Sequence, residues 1–497
     1  MEELSISQLR ERLESGQASS RELIQDFLAS IESLDRNGPA LNSIIEVNPD
    51  ALEIAETLDR ERAAGQVRGP LHGIPMVVKD NIDTGDRMQT TAGSLAMIGQ
   101  PAPRDAFVVR RLREAGAVIL AKSNLSEWAN FRSTNSTSGW SGRGGQTKNP
   151  NVLNRNPSGS SSGSGTAVAA NLAAAALGTE TNGSIVSPAG TNGIVGIKPT
   201  VGLTSRSGVV PISHTQDVVG PMARTVADAA AVLSAIAGYD PDDQVTEGAR
   251  GQPHDYTRFL DPDGLRGARI GVVRNLGFDK SPAVDRAANA AVDEMRRLGA
   301  VIVDVELPEA PEGSVMADAS TVMLYEFKAG LNRYLQRRGS TVNVHSLADV
   351  IEFNQQHAEQ ELCYFGQERL LQAEEKGDLD RPEYREALEK IRRTYRDEGI
   401  DRLLAEHTLQ ALVAPTNAPV WLTDLVNGDH FGVGSSTPAA IAGYPSITVP
   451  AGYAFELPIG ISFFGPAYSE PTLIKLTSGF EHQTQARRRP RFLPQVP

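Results

Sequence analysis

The sequence predicts an α/β fold that forms one large domain, with a β-sheet covered by helices. Two observations support this fold: short apolar runs typical of strands alternate with helical patterns, and no internal repeat or linker divides the chain. The alternation favours a largely parallel sheet. The 497 residues would allow three domains at roughly 100–200 residues each. A single domain is therefore predicted from the pattern and not from the length.

The helix and strand signals follow one another in both halves of the chain. Ser19 and Glu22 form a capping-box pattern, which predicts that a helix begins there. The further elements expected in the first half are a helix near 51–64, a buried strand at 74–78, a helix at 108–115, a strand at 117–121, and an Ala-rich helix at 166–177 stopped by Gly178. Those expected in the second half are a strand at 269–273, a helix at 283–298, a strand at 301–305, helices over 315–408, and strands at 412–414, 446–449 and 459–464.

Composition excludes several classes of protein. A net charge of −13 argues against a nucleic-acid partner, which needs a basic surface. The single cysteine excludes a disulfide framework and any multi-cysteine metal site. The histidines show no ligand spacing, and the sequence has no Walker A, GxGxxG or HExxH motif, so we expect no metal and no cofactor. The N-terminus lacks a signal-peptide pattern, and the longest small-apolar run is about half of the roughly 20 residues that span a membrane. We therefore expect a cytoplasmic protein without membrane association.

Lys79 is the first candidate functional residue because it follows the predicted strand at 74–78. Ligands of α/β proteins commonly bind at strand ends, and burial lowers the pKa of a lysine so that it can act as a neutral base. The chain has nine lysines and about four times as many arginines, and an arginine cannot act as a neutral base. A lysine at this position therefore favours a catalytic role. The alternative is a strand-end lysine paired with an acid such as Asp80.

Two serine-containing segments are the next candidates: the Ser/Gly block at 158–164 and the turn Asn182-Gly183-Ser184. A helix over 166–177 would carry the chain about 18 Å away, and six extended residues could return about 20 Å. Ser160 and Ser184 can therefore lie at the same end of this unit. The Asn-Gly turn could aim backbone N–H groups at one point, as an oxyanion hole requires. The alternatives are a solvated Ser-rich loop and an ordinary turn.

Residues 159–163 also match G-x-S-x-G, the nucleophile elbow of α/β-hydrolases, with Ser161 as the nucleophile. That motif requires a strand directly before it and a later Asp and His. Residues 149–157 are a poor strand, and none of the later histidines has a distinguishing context. Both observations count against a Ser-His-Asp esterase that uses Ser161, which is kept as a rival hypothesis.

Several stretches resemble the amidase signature family and occur in that family's order, namely residues 71–84, 110–130, 159–202, 220–233 and 442–453. The segments 124–131, 184–188 and 324–328 look most similar to the peptide amidase branch, which removes C-terminal amide groups from peptides. The resemblance implies one domain over residues 1–497 with a central twisted mixed β-sheet flanked by α-helices. The expected core is about 5–485, and the basic residues after it would form a short solvated tail at 486–497.

The resemblance also implies the site residues. Ser184 would be the acyl-forming nucleophile, Ser160 a bridging serine in a cis peptide, and Lys79 the terminal base. Backbone N–H groups of Asn182, Gly183 and Ser184 would form the oxyanion hole. Many members have glycine where Asn182 stands, and many have arginine after the Ser-Ile pair, so the pocket is expected to differ while the chemistry is kept.

The activity implied by the resemblance is hydrolysis of carboxylic amides to acid and ammonia through an acyl-enzyme. The expected substrates are small amides or C-terminal peptide amides, with no obligate partner chain. The amidase-like component of the tRNA-dependent amidotransferase is an alternative within the family, because it shares the fold and the triad but works together with other chains. The acidic composition argues against that alternative.

Overall fold

The computed structural model describes residues 2–308 and 314–497 of the chain. A sheet of 11 strands runs through the molecule, and a small second sheet pairs two short strands. The strands are β1 (Ile44–Val47), β2 (Pro75–Lys79), β3 (Val118–Ser123), β4 (Trp140–Ser141), β5 (Gly145–Gln146), β6 (Ala175–Glu180), β7 (Val195–Lys198), β8 (Val218–Ala223), β9 (Arg269–Val273), β10 (Val301–Val305), β11 (Ala411–Pro415), β12 (Ser446–Ala454) and β13 (Leu457–Phe464).

Helices connect the strands, and many of them pack against the large sheet, whereas those between β10 and β11 pack mainly against one another. The helices are α1 (Ile6–Glu14), α2 (Ser20–Ser30), α3 (Ala51–Ala63), α4 (Phe107–Glu114), α5 (Ser162–Ala169), α6 (Val186–Asn192), α7 (Val226–Ile236), α8 (Pro282–Arg297), α9 (Ser314–Arg338), α10 (Leu347–Gln356), α11 (Ala358–Glu361), α12 (Glu368–Glu374), α13 (Pro382–Arg392), α14 (Arg402–His407), α15 (Thr437–Ala442) and α16 (Glu470–Thr484). Among the residues described, none of these helices is long and apolar enough to cross a membrane.

The large sheet is mixed, so the α/β class and the mixed sheet that the family resemblance implies are both confirmed. The expectation of a largely parallel sheet, based on the strand–helix alternation alone, is wrong. The observed strand order is β1-β3-β2-β6-β8-β7-β12-β13-β11-β9-β10. The pairs β3–β2, β2–β6, β11–β9 and β9–β10 are parallel, and the others are antiparallel. Part of the reason is the tight turn between β12 and β13, because strands joined by a short turn must run antiparallel.

The alternation of side chains along β2 explains how the sheet is buried on both faces. Met76 and Val78 belong to one hydrophobic cluster, together with Leu233 of α7. Val77 points the other way, into a second cluster that includes Phe27 of α2 and Val168 of α5. Both clusters are fully buried, so β2 lies inside the molecule and delivers its last residue, Lys79, to an interior position.

The Ala-rich segment differs from the prediction. The predicted bounds of a helix over 166–177 are wrong. The observed helix, α5, begins at Ser162 and ends at Ala169, and the strand β6 starts at Ala175. The predicted stop, Gly178, lies inside β6, which pairs with β2 on one side and β8 on the other. The gain from two strand partners outweighs the helical preference of alanine. The chain still leaves and returns to the same end, as predicted.

The basic C-terminal residues are packed against the body at two places, so a fully solvated tail is not what the structure shows. Arg487 forms an ion pair with Glu3 at 2.7 Å. Further on, the backbone N–H of Leu153 donates to the carbonyl of Leu493 at 2.7 Å. The limits of 5–485 for the core stay a prediction.

Candidate active site

The side chain of Lys79 is fully buried and lies between the Ser/Gly block and β6. Its Nζ atom donates hydrogen bonds to Ser160 Oγ at 2.8 Å, to Thr179 Oγ1 at 2.9 Å and to the carbonyl of Thr179 at 3.3 Å. Asp80, the alternative partner, instead accepts a hydrogen bond from the hydroxyl of Thr91. The structure therefore joins Lys79 to Ser160, residues that are 81 positions apart.

Burial lowers the pKa of Lys79 to about 7, because the ammonium form loses its hydration in the interior. The negative charges of Asp217 and Glu180 oppose this shift and raise the pKa. The result is a lysine that can be neutral or protonated near physiological pH, as a group that both accepts and returns a proton requires.

The contacts around Nζ indicate where a neutral Lys79 directs its lone pair. A neutral amine has two N–H groups and one lone pair. The carbonyl of Thr179 can only accept, and Thr179 Oγ1 also accepts from Asn81 Nδ2 at 3.0 Å. With both N–H groups on Thr179, the remaining lone pair faces Ser160 Oγ and can accept its proton.

Ser160 is held at the start of the segment that leads into α5. The peptide bond between Gly159 and Ser160 is cis. The carbonyl of Ser160 accepts the backbone N–H of Ser126 at 3.1 Å, and its side chain has no exposed surface. Ser160 thus contacts Lys79 from inside the protein.

Two hydrogen bonds bring the segment around Ser160 beside the turn that carries Ser184. The backbone N–H of Ser161 donates to the carbonyl of Ser184 at 3.2 Å. The hydroxyls of Ser158 and Ser187 share a hydrogen bond at 2.9 Å. Ser184 itself is only partly buried. Lys79 and Ser160 are both fully buried, so Ser184 lies nearer the surface than either of them.

The turn at Asn182-Gly183-Ser184 carries the candidate oxyanion donors. Gly183 has φ of +85°, a left-handed conformation that disfavours other residues. Within the described residues, the backbone N–H groups of Asn182, Gly183 and Ser184 donate to no other residue. N–H groups in consecutive turn residues can converge on one oxyanion.

The departure from the common glycine at position 182 is accommodated by α15. The side-chain carbonyl of Asn182 accepts from Ser436 Oγ at 2.7 Å, and its amide donates to Thr437 Oγ1 at 3.1 Å. The Asn182 side chain is thus turned toward the start of α15. Its backbone stays in the turn, so the pocket wall changes and the turn is kept.

The rival nucleophile, Ser161, has a structural role. Its hydroxyl donates to the carbonyl of Thr179 at 3.1 Å and accepts the backbone N–H of Thr179 at 3.2 Å. No strand precedes it among the described residues 147–160, whereas the elbow motif requires one. The structure therefore gives no support to the esterase hypothesis.

A cavity of about 520 Å³ opens beside the turn. Its polar floor includes Gly159, Asn182 and Ser184. Its apolar wall is formed by Phe131, Met316, Met323, Trp421 and Phe431. The volume and this mixed lining are typical of small-molecule sites. Ser184 lines the cavity and is accessible to a ligand, whereas Lys79 has no exposed surface.

The sequence did not identify three residues that shape this site: Asn81, Thr179 and Glu180. Asn81 lies in the polar run directly after β2, which was a usable signal. Glu180 is a carboxylate at the end of β6, with one oxygen that accepts the backbone N–H groups of Ile185 and Val186 at 2.8 and 3.0 Å. Thr179 carried no signal because β6 itself was not predicted.

Lysine burial alone does not single out Lys79. Lys122 and Lys198 also have no exposed surface, and burial lowers the pKa of both. Lys122 donates to the carbonyl of Ile82 at 2.6 Å, and Lys198 donates to the carbonyl of Tyr444 at 2.7 Å. Of the three, only Lys79 contacts a serine hydroxyl, and this contact distinguishes it.

Comparison with known proteins finds relatives that match nearly the whole chain. A family model described as Amidase matches residues 22–474. The crystal structure of native peptide amidase from Stenotrophomonas maltophilia is 51% identical, covers 99% of both chains and superposes with a TM-score of 0.93. A probable amidase of Arabidopsis thaliana is 44% identical over 99% of this chain and 92% of its own length.

A more distant relative is one component of the glutamyl-tRNA(Gln) amidotransferase of Carboxydothermus hydrogenoformans. It is 35% identical over 97% of both chains. The family match spans nearly the whole chain, and the resemblance noted in the sequence is confirmed. The chain therefore belongs to the amidase signature family, and it is a hydrolase that acts on the carbon–nitrogen bonds of amides.

Proposed function

We propose that this enzyme hydrolyses C-terminal peptide amides or small amides to acid and ammonia, with Lys79, Ser160 and Ser184 as its catalytic triad. The observation that carries the proposal is the buried 2.8 Å hydrogen bond between Lys79 Nζ and Ser160 Oγ. A pKa of about 7 for Lys79 and the position of Ser184 beside the cavity support it further.

Acylation begins with neutral Lys79, which accepts the hydroxyl proton of Ser160 while Ser160 accepts the proton of Ser184. The oxygen of Ser184 forms a bond to the amide carbon, and the carbonyl oxygen becomes an oxyanion. The backbone N–H groups of Asn182, Gly183 and Ser184 are the candidate donors to it. The proton then returns through Ser160 to the leaving nitrogen, the carbon–nitrogen bond breaks, and ammonia departs.

Deacylation uses the same residues in the same order. A water molecule gives its proton through Ser160 to Lys79 and attacks the ester of Ser184. The bond between the acyl carbon and Ser184 then breaks, and the proton returns to the Ser184 oxygen. This chain of groups needs a lysine whose pKa lies near the working pH, because the same Nζ atom accepts and donates within one turnover.

The cavity supports a substrate larger than a simple amide. Its apolar wall can contact a hydrophobic side chain, and several of its members reach the surface: Phe431 is 56% exposed and Met316 is 52% exposed. An open apolar rim can accommodate a peptide that continues outward from the reacting amide. The similarity to the Stenotrophomonas peptide amidase also favours peptide amides.

The proposal is tested by measuring ammonia release from small amides, amino-acid amides and peptide amides, with the chain expressed alone. We expect the largest kcat/KM for peptide amides and no turnover by the Ser184→Ala variant. Equal kcat/KM for acetamide and for peptide amides would contradict the proposed peptide specificity. Ammonia release from Ser184→Ala at the wild-type rate would contradict the proposed nucleophile.

The same assay addresses the amidotransferase alternative. Hydrolysis of peptide amides without tRNA or other chains supports a single-chain amidase. Ammonia release restricted to glutamine, and dependent on added tRNA and partner proteins, would favour the alternative. The lower identity to the amidotransferase component, 35% against 51% for the peptide amidase structure, supports the first outcome.

A further inference from the structure

A second cavity, of about 430 Å³, lies between α9 and the loop at residues 206–214. Its lining includes Arg104, Arg206, Arg333 and Arg337, and it shares no residue with the lining of the substrate cavity. No step of the proposed mechanism uses it. Its residues carry an unusual concentration of guanidinium groups for a chain with a net charge of −13.

The carboxylates that face this cavity already have partners. Arg206 illustrates the pattern, because it forms two hydrogen bonds to Asp243, at 2.9 and 2.6 Å. The remaining partnerships are Asp83 with Tyr334 and Arg338, Asp217 with Thr181, and Asp242 with Arg104. The ion pair between Asp242 and Arg104 is largely exposed to solvent, so it is weak and has little effect on the charge of the cavity.

Within the part of the chain that the structure describes, Arg333 and Arg337 are the two arginines of the cavity that have no carboxylate partner. They lie four residues apart on α9, so both side chains project from the same face of the helix. Both are exposed, and neither forms an ion pair or a hydrogen bond with another described residue. Two guanidinium groups at this spacing offer planar, forked donors that match carboxylate or phosphate oxygens.

The walls of the cavity are held in place by close backbone packing. A Cβ atom at Gly330 of α9 would lie 3.0 Å from Cγ of Pro211, so the glycine allows the helix to approach the loop. A Cβ atom at Gly208 would lie 2.8 Å from Cα of Ala106. The arginines therefore line a concave site whose two walls are fixed relative to each other.

We propose that this cavity is a binding site for a small anion that carries a carboxylate or phosphate group, held by Arg333 and Arg337. Three of the four aspartates in the wall are paired with arginines, and the fourth, Asp217, is bonded only to a hydroxyl and to backbone N–H groups of the described residues. Five arginines against four aspartates leave the lining with one net positive charge, and Arg333 and Arg337 are its two guanidinium groups without a carboxylate partner among the residues that the structure covers. A cavity of this volume admits a molecule of the size of a tricarboxylate. The carboxylate and phosphate sources differ in geometry and are separated by the choice of probe.

The test is calorimetric titration of the full-length enzyme with citrate and, separately, with inorganic phosphate. The variant is Arg333→Gln with Arg337→Gln. The matched control is Arg286→Gln with Arg385→Gln, which removes the same charge from two exposed arginines on α8 and α13 outside the cavity. Far-ultraviolet circular dichroism and the melting temperature show whether both double variants are folded.

We expect saturable 1:1 binding of at least one probe to the wild type and to the control. The cavity variant should bind that probe at least about tenfold more weakly than the wild type does. Tighter binding of citrate identifies a carboxylate ligand, and tighter binding of phosphate identifies a phosphate ligand. Binding should persist in Ser184→Ala, which separates this site from the substrate cavity. The proposal is overturned if neither probe saturates the wild type below about 10 mM, or if both double variants bind equally.

Discussion

The carboxylate of Glu180 accepts the backbone N–H of Ile185 at 2.8 Å and thereby closes the turn that carries Ser184. The same oxygen accepts the N–H of Val186 at 3.0 Å. Glu180 is buried, and its charge raises the pKa of Lys198 behind it, against the larger effect of burial. The buried carboxylate thus holds the backbone directly after the proposed nucleophile, which makes Glu180 a positioning residue.

Replacing Glu180 should therefore affect turnover more than substrate binding. We expect Glu180→Ala to lower kcat about 100-fold with little change in KM, because small misplacements of a nucleophile cost large factors in rate. Glu180→Gln keeps an acceptor oxygen and should retain much of the activity. Steady-state kinetics on a peptide amide measure both. A lower melting temperature with unchanged kcat would reduce Glu180 to a purely structural role.

The pH dependence follows from the lowered pKa of Lys79. Below about 7 the amine is protonated and cannot accept a proton, so activity should fall as the pH falls and reach a plateau above the pKa. We expect kcat/KM at pH 6 to be about tenfold lower than at pH 8. A flat profile over this range, measured by ammonia release, would argue against Lys79 as the base.

Lys79→Arg is the matched variant for the pH experiment. A guanidinium stays protonated at every accessible pH, so this variant keeps a positive charge but cannot act as a base. We expect its activity to be lost at all pH values tested. Substantial turnover that rises with pH would show that another group accepts the proton.

Thr179 orients Lys79, so its hydroxyl should matter although it touches no substrate. Thr179→Val removes the acceptor for both Lys79 and Asn81 and keeps the shape of the side chain. We expect about a tenfold loss in kcat and a shifted pH midpoint, whereas Thr179→Ser should preserve both. Identical pH profiles for the valine and serine variants would exclude this orienting role.

Gly183→Ala tests the turn that holds the candidate oxyanion donors. Gly183 has φ of +85°, and an added Cβ would lie 2.9 Å from Ser436 Oγ. The substitution should strain the turn by about 1–2 kcal/mol and misalign the N–H groups, with a loss of roughly 100-fold or more in kcat. Gly251→Ala offers a comparison at a glycine without a left-handed φ, where an added Cβ would meet no atom within 4 Å. Equal kinetics for the two variants would remove the turn from the mechanism.

The sequence predicted best those elements whose pattern is local. The strands at 269–273 and 301–305 have the predicted bounds, and the helix after Ser19 has the predicted capping box. The segment 175–180 was misassigned because its alanines suit a helix locally, whereas its two strand partners are distant in the sequence. Long-range pairing therefore decided what local propensity could not.

The candidate site shows the same difference between local patterns, which the sequence reveals, and long-range contacts, which it does not. Motifs pointed to Lys79, Ser160 and Ser184, whose catalytic roles are proposals, and composition favoured Lys79 because lysine is scarce. Composition alone was insufficient, since Lys122 and Lys198 are equally buried. The contact that distinguishes Lys79 joins it to Ser160, which is 81 positions away, and no local pattern encodes such a contact.

The most direct test of the account is the identity of the acylated serine. The enzyme is treated with a serine-directed phosphonate, and the labelled peptide is identified by mass spectrometry, in the wild type and in Ser184→Ala. We predict an adduct on Ser184 in the wild type and none in the variant, with Ser161→Ala still labelled on Ser184. An adduct on Ser161, or labelling that persists in Ser184→Ala, would contradict the proposed mechanism.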